Sequence, residues 1–405
     1  MSSAGDPAEL TAQQVRDLLC GGRPVDQDLL IDALDRLGTP LITADPEHPG
    51  NRRLLFAWIE EPGEEPLAGV YLWANRLTDK HRMARGELHR VPGTRIWCVE
   101  LTEPAGVMSG YRMYPYRPGD PALTEDGLQY TRELVRDAVV DPHNRLAAGG
   151  SPFGSVLHGD DAPDMTLWHS AGEPDERTVS ATTIDVDGRQ VPCRLSMPAV
   201  DGPPPALLVV YDSEKWLGRY RLDRVLDAAY RSGRSRRRYA IAGIDSPSRP
   251  PERLALLGGN PHLADAVAEQ LIPAARAALG GAPEQVIAVG QSLGGIAALT
   301  LAARRPGLID EVLVYSPSVW WRPGLTGRAA DVGQREEWVH DLLRGQDEPS
   351  FRIRLAVGDY EGPLIERVLD LADTAREVGH PVQLDRYSGG HDDYSWAAVL
   401  STHLD

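Results

Sequence analysis

Gly290-Gln291-Ser292-Leu293-Gly294-Gly295 is the stretch that decides the fold. Just before it, Gln285-Val286-Ile287-Ala288-Val289 is a short apolar run, the pattern of a parallel strand buried on both faces. Just after it, residues 296–305 (IAALTLAARR) favour helix and stop at Pro306-Gly307. A strand, a Gly-x-Ser-x-Gly turn and a helix, in that order, make the nucleophile elbow of an α/β-hydrolase. The turn is sharp, and glycines two before and two after the serine remove side chains that would clash. Ser292 is therefore the expected nucleophile. The amide of Leu293, at the start of the helix, is an expected oxyanion donor.

Strand and helix patterns alternate around this point, as in a doubly wound, mostly parallel sheet. Residues 206–211, 239–245, 311–316, 351–357 and 381–387 read as strands, and residues 263–279 and 364–378 as helices. Arg177–Ile184 and Gln190–Met197 read as an entry hairpin. Upstream the period changes. Leu54–Ile59, Ala68–Trp73, Arg95–Leu101 and Tyr111–Tyr116 alternate with turn-forming Pro and Gly, which predicts an all-β, sandwich-like domain. Two short helices precede it, Thr11–Leu19 and Asp26–Leu37, and another is expected over Glu125–Val139. The predicted organisation is a helical extension over residues 1–36, a β domain over 37–150 and a catalytic domain over 151–405.

In such a fold the serine is followed along the chain by an acid and then a histidine, each on a loop after a later strand. Ser388-Gly389-Gly390-His391-Asp392 follows the last strand, so His391 is the expected general base. His380 opens that strand and His403 lies near the C-terminus, so both fit worse. The loop Gly358-Asp359-Tyr360-Glu361-Gly362-Pro363 offers two carboxylates, between which spacing does not choose. Asp392 is a third acid, but adjacent residues seldom orient one another well. The second oxyanion donor is expected after residues 206–211, from Ser213 or Glu214.

A formal net charge of −17 argues against nucleic acid or an anionic membrane as partner. Cys20, Cys98 and Cys193 are widely spaced and odd in number, which argues against a disulfide framework. No stretch reaches membrane-spanning length and the N-terminus lacks a signal pattern, so a cytoplasmic location is expected.

Several runs go beyond a generic hydrolase. Leu72-Trp73-Ala74-Asn75-Arg76-Leu77-Thr78-Asp79-Lys80-His81-Arg82 and Asp141-Pro142-His143-Asn144 stand in the first half. Asp212-Ser213-Glu214-Lys215-Trp216, Ser316-Pro317-Ser318-Val319-Trp320-Trp321 and Gly389-Gly390-His391-Asp392 stand in the second. With these runs the chain, from about Leu37 onward, resembles the enterochelin (enterobactin) esterases, which open catecholate trilactone siderophores. The resemblance implies Ser292 and His391 as catalytic residues and Glu361, rather than Asp359, as the triad acid. It also implies a serine esterase releasing iron from a ferric trilactone. Iron then enters only as part of the substrate, with no cofactor and no metal ligands on the protein.

Such a substrate is anionic and needs local cations. Arg249 and Arg253 follow the strand ending near Ile244, on the side of the expected site, and Arg76, Lys80 and Arg82 lie in the first domain. Trp216, Trp320 and Trp321 are candidates for stacking catechol rings. The run Arg234–Arg238 precedes a strand and falls on the opposite side. The alternatives are a general carboxylesterase or acyltransferase on another acyl ester, and a binding protein that has lost catalysis. The intact serine and histidine motifs count against the last. Oligomeric state is left open.

Overall fold

The computed structural model describes residues 10–21, 26–63, 65–120, 136–170, 177–325, 337–346 and 348–404. Of the helix expected over 125–139, residues 125–135 lie outside the described residues. Fifteen strands are described: β1 Leu41–Ala44, β2 Asn51–Ile59, β3 Gly69–Ala74, β4 Glu87–Arg90, β5 Ile96–Pro104, β6 Met108–Tyr116, β7 Val156–His158, β8 Val179–Val186, β9 Arg189–Ser196, β10 Ala206–Tyr211, β11 Tyr239–Ile244, β12 Val286–Gln291, β13 Glu311–Tyr315, β14 Arg352–Gly358 and β15 Val382–Tyr387. They form two sheets in two compact units. One unit comprises residues 1–163 with 388–395, the other 164–387 with 396–405.

The first unit is built on a seven-stranded sheet in the order β1-β2-β5-β4-β3-β6-β7, antiparallel throughout. A sandwich would need two separate sheets, and here the pairing is continuous. The short β4 is the reason: it pairs with β3 on one side and β5 on the other. The helices Ala12–Cys20 and Gln27–Leu37 are part of this unit's core rather than an appendage. The first opens with a Thr11–Gln14 capping box and the second on Asp26. Their apolar stripes, Val15 and Leu19, then Leu30, Ala33 and Leu34, pack with Leu41, Leu55, Ala57 and Ile96 of the sheet.

The second unit holds an eight-stranded sheet in the order β15-β14-β13-β12-β10-β11-β9-β8. Strands β10 to β15 pair in parallel, and the β8–β9 hairpin joins antiparallel at β11. Every residue of β10, β11, β12 and β13 is buried, as strands covered on both faces require. The helix expected over residues 263–279 forms as Pro261–Ala266, a wide turn Val267–Leu271 and Ile272–Leu279. Pro273 near the start of the last piece has no N–H to donate, so the preceding turn widens.

The order places the site. From β10 the chain crosses to β11 on one side, and later returns to β12 on the other. Connections leaving neighbouring strands in opposite directions open a crevice at their carboxyl ends. Ser213 and Ser292 both lie just past those ends.

Candidate active site

Ser292 sits between β12 and the helix Leu293–Arg304 with φ 56 and ψ −119, a conformation an L-residue adopts only under constraint. The constraint is visible on both sides. Its N–H donates to the Tyr315 carbonyl at 2.9 Å, and its own carbonyl accepts from Ser318 N–H at 3.0 Å. A Cβ at position 290 would lie 2.1 Å from the Gly294 oxygen, so only glycine lets helix and strand approach this closely. The Ser292 hydroxyl stands 3.2 Å from that of Ser318.

The β10 end is tied to this turn. Asp212, at φ 59, is buried, and its carboxylate accepts from Gln291 Nε2 at 3.1 Å. Arg253 meets the same carboxylate with two bonds of 2.9 and 2.8 Å. Burial opposes the charge on Asp212, but the Arg253 guanidinium outweighs it and holds the carboxyl below its ordinary range. Ser213 follows at once, with its hydroxyl bonded to Asp245. Leu293 and Ser213 thus stand just past β12 and β10, two strands that are neighbours in the sheet.

The two carboxylates of the loop after β14 differ sharply. Asp359 is exposed and paired with Arg386 at 2.8 Å. Glu361 is 2% exposed. Its Oε1 accepts from Gly358 N–H at 3.0 Å, from the Tyr387 hydroxyl at 3.2 Å and from the Ser316 hydroxyl. Ser316 also lies 2.9 Å from the Tyr387 hydroxyl and accepts from Trp396 Nε1 at 3.1 Å. The loop after β13 thus reaches Glu361 through Ser316 and Ser292 through Ser318. None of Ser316, Ser318 and Tyr387 was given a role from sequence. The signal available was the Ser-Pro-Ser run, which spacing alone does not tie to an acid 45 residues away.

His391 stands in the loop after β15, and its N–H donates to Asn75 Oδ1 at 2.9 Å. Asp392 caps the helix Asp393–His403: its Oδ1 accepts from the amides of Tyr394 and Ser395 at 3.1 and 3.2 Å. Burial pushes its carboxyl up to about 6. The other late histidines are structural. His380 is buried with Nδ1 at 3.1 Å from the Phe351 carbonyl, and His403 bridges the Tyr315 hydroxyl and Asp385 at 3.2 and 2.9 Å. Burial pushes both imidazoles down.

The expected substrate contacts divide. Trp216 is 1% exposed and packed edge-on against Trp168 and Tyr220, which leaves no face for a ligand ring. Arg253 is engaged with buried Asp212 in an ion pair. Trp321 is buried, while Trp320 stays half-buried and edge-on to it at 5.8 Å. Arg249 is exposed and paired with Glu252 at 3.1 Å. Arg76 occupies a left-handed turn at φ 64, with its N–H on Asp79 Oδ1 at 3.0 Å. Among the described residues, no cluster of three or more His, Cys, Asp or Glu side chains could hold a metal ion. No described helix is long and apolar enough to cross a membrane.

Comparison with known proteins adds the family. A model of the enterochelin esterase N-terminal domain matches residues 53–168, and one named Esterase matches residues 188–405. The iron(III) salmochelin esterase of Escherichia coli O6:H1 is 32% identical over 374 residues, covering 89% of this chain and 88% of that protein. This chain belongs to the enterochelin esterase family. Another enterochelin esterase relative, the iron(III) enterobactin esterase of Dickeya dadantii, is 28% identical over 399 residues, covering 90% of this chain and 89% of that one. The crystal structure of ferric enterobactin esterase from Salmonella typhimurium matches with a TM-score of 0.74 at 22% identity, over 90% of this chain and 94% of that one. At that identity the likeness is one of fold. The runs that carried the resemblance, Trp73–Arg82 and Ser316–Trp321, fall inside the two matched segments.

Proposed function

We propose that this chain is a serine esterase of α/β-hydrolase fold that hydrolyses the ester bonds of a catecholate trilactone siderophore, the ferric complex included, and so releases iron. The observation that carries it is the Ser292 turn: a strained serine at the carboxyl end of β12, beside the β10 end, in an enterochelin esterase chain. Ser292 Oγ attacks a lactone carbonyl while His391 takes its proton. The amides of Leu293 and Ser213 meet the oxyanion, and His391 returns the proton to the leaving alkoxide. That step opens the ring and leaves the chain acylated on Ser292; water, activated by His391, then cleaves this ester and releases the linear product. Glu361 orients the imidazole and stabilises its charged form. Three donors on Oε1 support that choice over Asp359, whose carboxylate is engaged at the surface with Arg386.

Trp320, half-buried beside the Ser316–Ser318 segment, and Arg249 are the proposed substrate contacts. The relatives' names support a ferric catecholate ester as substrate. To test this, purified protein is mixed with ferric and iron-free catecholate trilactones and with a p-nitrophenyl ester, and products are followed by mass. Linear, water-added trilactone products are expected. Turnover of the aryl ester with both trilactones intact would replace this function with that of a general carboxylesterase.

A further inference from the structure

The Trp73–Arg82 run is specific, yet the catalytic assignments leave it without a part. In the structure it builds a rigid turn. Thr78 Oγ1 accepts from Ala74 N–H at 2.8 Å and donates to the Leu72 carbonyl at 2.7 Å. Asp79 takes the Arg76 amide, and both Thr78 and Asp79 are buried. Arg82 reaches back to the Arg76 carbonyl at 3.0 Å. This turn presents the Asn75 carboxamide.

What Asn75 meets is the loop of residues 388–395, which belongs by its contacts to the first unit, although it follows the last strand of the other sheet. Asn75 Oδ1 accepts from the amide of His391 itself, at 2.9 Å. Strand β6 fastens both ends of the same loop. Met108 N–H donates to the Ser388 carbonyl at 2.8 Å, and Gly110 N–H donates to Asp392 Oδ1 at 3.1 Å. Ser395 Oγ closes the set on the Met108 carbonyl at 3.1 Å. The fit is close: a Cβ at Gly390 would lie 2.6 Å from the Asn75 carbonyl oxygen and 3.0 Å from Arg76 Cβ. Two consecutive glycines give this loop wide freedom when unfastened, so these bonds do the orienting.

We propose that Asn75 is a positioning residue for the esterase reaction: it fixes the backbone that carries His391, so the N-terminal sheet completes the base rather than serving only to bind substrate. The proposal rests on His391 being the general base. A base with its backbone unfastened spends most of its time out of line with the proton it must take, which lowers turnover without weakening substrate binding.

The test uses full-length protein and measures kcat and KM on a p-nitrophenyl ester and a ferric catecholate trilactone, with Tm alongside. His391→Ala is the control for the underlying assignment. Asn75→Ala is expected to lower kcat about ten- to a hundredfold on both esters, with KM changed less than threefold. Asn75→Asp keeps an acceptor oxygen in place and is expected to return to within about fivefold of the parent. If Asn75→Ala does not fold, Asn75→Ser, too short to reach the amide, takes its place beside Asn75→Asp. A folded Asn75→Ala or Asn75→Ser protein with parental kcat overturns the proposal while His391→Ala is inactive. So does a rise in KM confined to the trilactone, which makes Asn75 a substrate contact. An active His391→Ala protein instead removes the premise, and with it the assigned base.

Discussion

Two loops of the candidate site, those after β14 and β15, are held in different ways. The loop after β14 is fixed from within its own unit: Glu361 is buried and its Oε1 is met by Gly358, Ser316 and Tyr387, all in the second unit. The loop after β15 belongs to the first unit and is fixed there by Asn75, Met108 and Gly110. Side chains converge on the acid, whereas backbone amides and carbonyls do most of the work at the histidine. A buried carboxyl needs hydrogen-bond partners, and the residues around Glu361 supply them. A glycine-rich loop needs its backbone fastened, and an adjoining strand such as β6 does that. The lesson is that the loop carrying Glu361 is fastened within the second unit and the loop carrying His391 within the first.

The sharpest way to break this comparison is at the acid. Glu361→Gln keeps the size of the side chain and removes the charge that imidazolium needs, so kcat/KM is expected to fall about a thousandfold or more. Asp359→Asn removes one partner of an exposed pair and is expected to change activity less than twofold. Steady-state kinetics of the two proteins decides. The reverse order would move the acid to the loop's surface.

A smaller effect is expected at the β10 end. Arg253→Ala leaves the Asp212 carboxylate buried without its guanidinium, at a cost of about 3 kcal/mol in stability. Chemical denaturation should show that loss. If Arg253 were instead a substrate cation, KM for the ferric trilactone would rise and stability would hold.

The smallest effect is a pH slope at the histidine loop. The Asp392 carboxyl, pushed up to about 6 by burial and by its neighbour Asp393, binds its proton more tightly folded than at its ordinary value of 3.8. A raised carboxyl destabilises the fold as it ionises, so its contribution to stability falls as pH climbs from about 4 to about 6. Asp392→Asn keeps the acceptor for Gly110, Tyr394 and Ser395 and lacks that slope. Thermal melts across this range are therefore expected to show the parent losing ground to Asp392→Asn as pH rises. Parallel curves would mean that the loop leaves Asp392 open to water.

Much of the second sheet was legible because buried parallel strands announce themselves as apolar runs, and Gly290 and Gly294 mark the turn that Ser292 needs. The position of His391 in the loop after the last strand was legible from the order of the strands. What escaped was tertiary. Whether Asp359 or Glu361 lies inward depends on Ser316 and Tyr387, which are distant in sequence. Trp216 looked available because an aromatic near a site reads alike whether it faces solvent or the core. Only packing against Trp168 and Tyr220 separates the cases. The continuous N-terminal sheet hinges on β4, four residues without a strong strand pattern. Asn75 carries no pattern of its own in the sequence, since a hydrogen bond between residues 316 positions apart leaves no periodic trace.

The most direct test of the account labels the nucleophile. Parent, His391→Ala and Glu361→Gln proteins are treated with a serine-directed fluorophosphonate, digested, and the modified residue located by mass. A label on Ser292 is expected in the parent, with labelling slowed by orders of magnitude when His391 is removed and substantially when Glu361 is neutralised. A label on any other serine, or on Ser292 at an unchanged rate without His391, would contradict it.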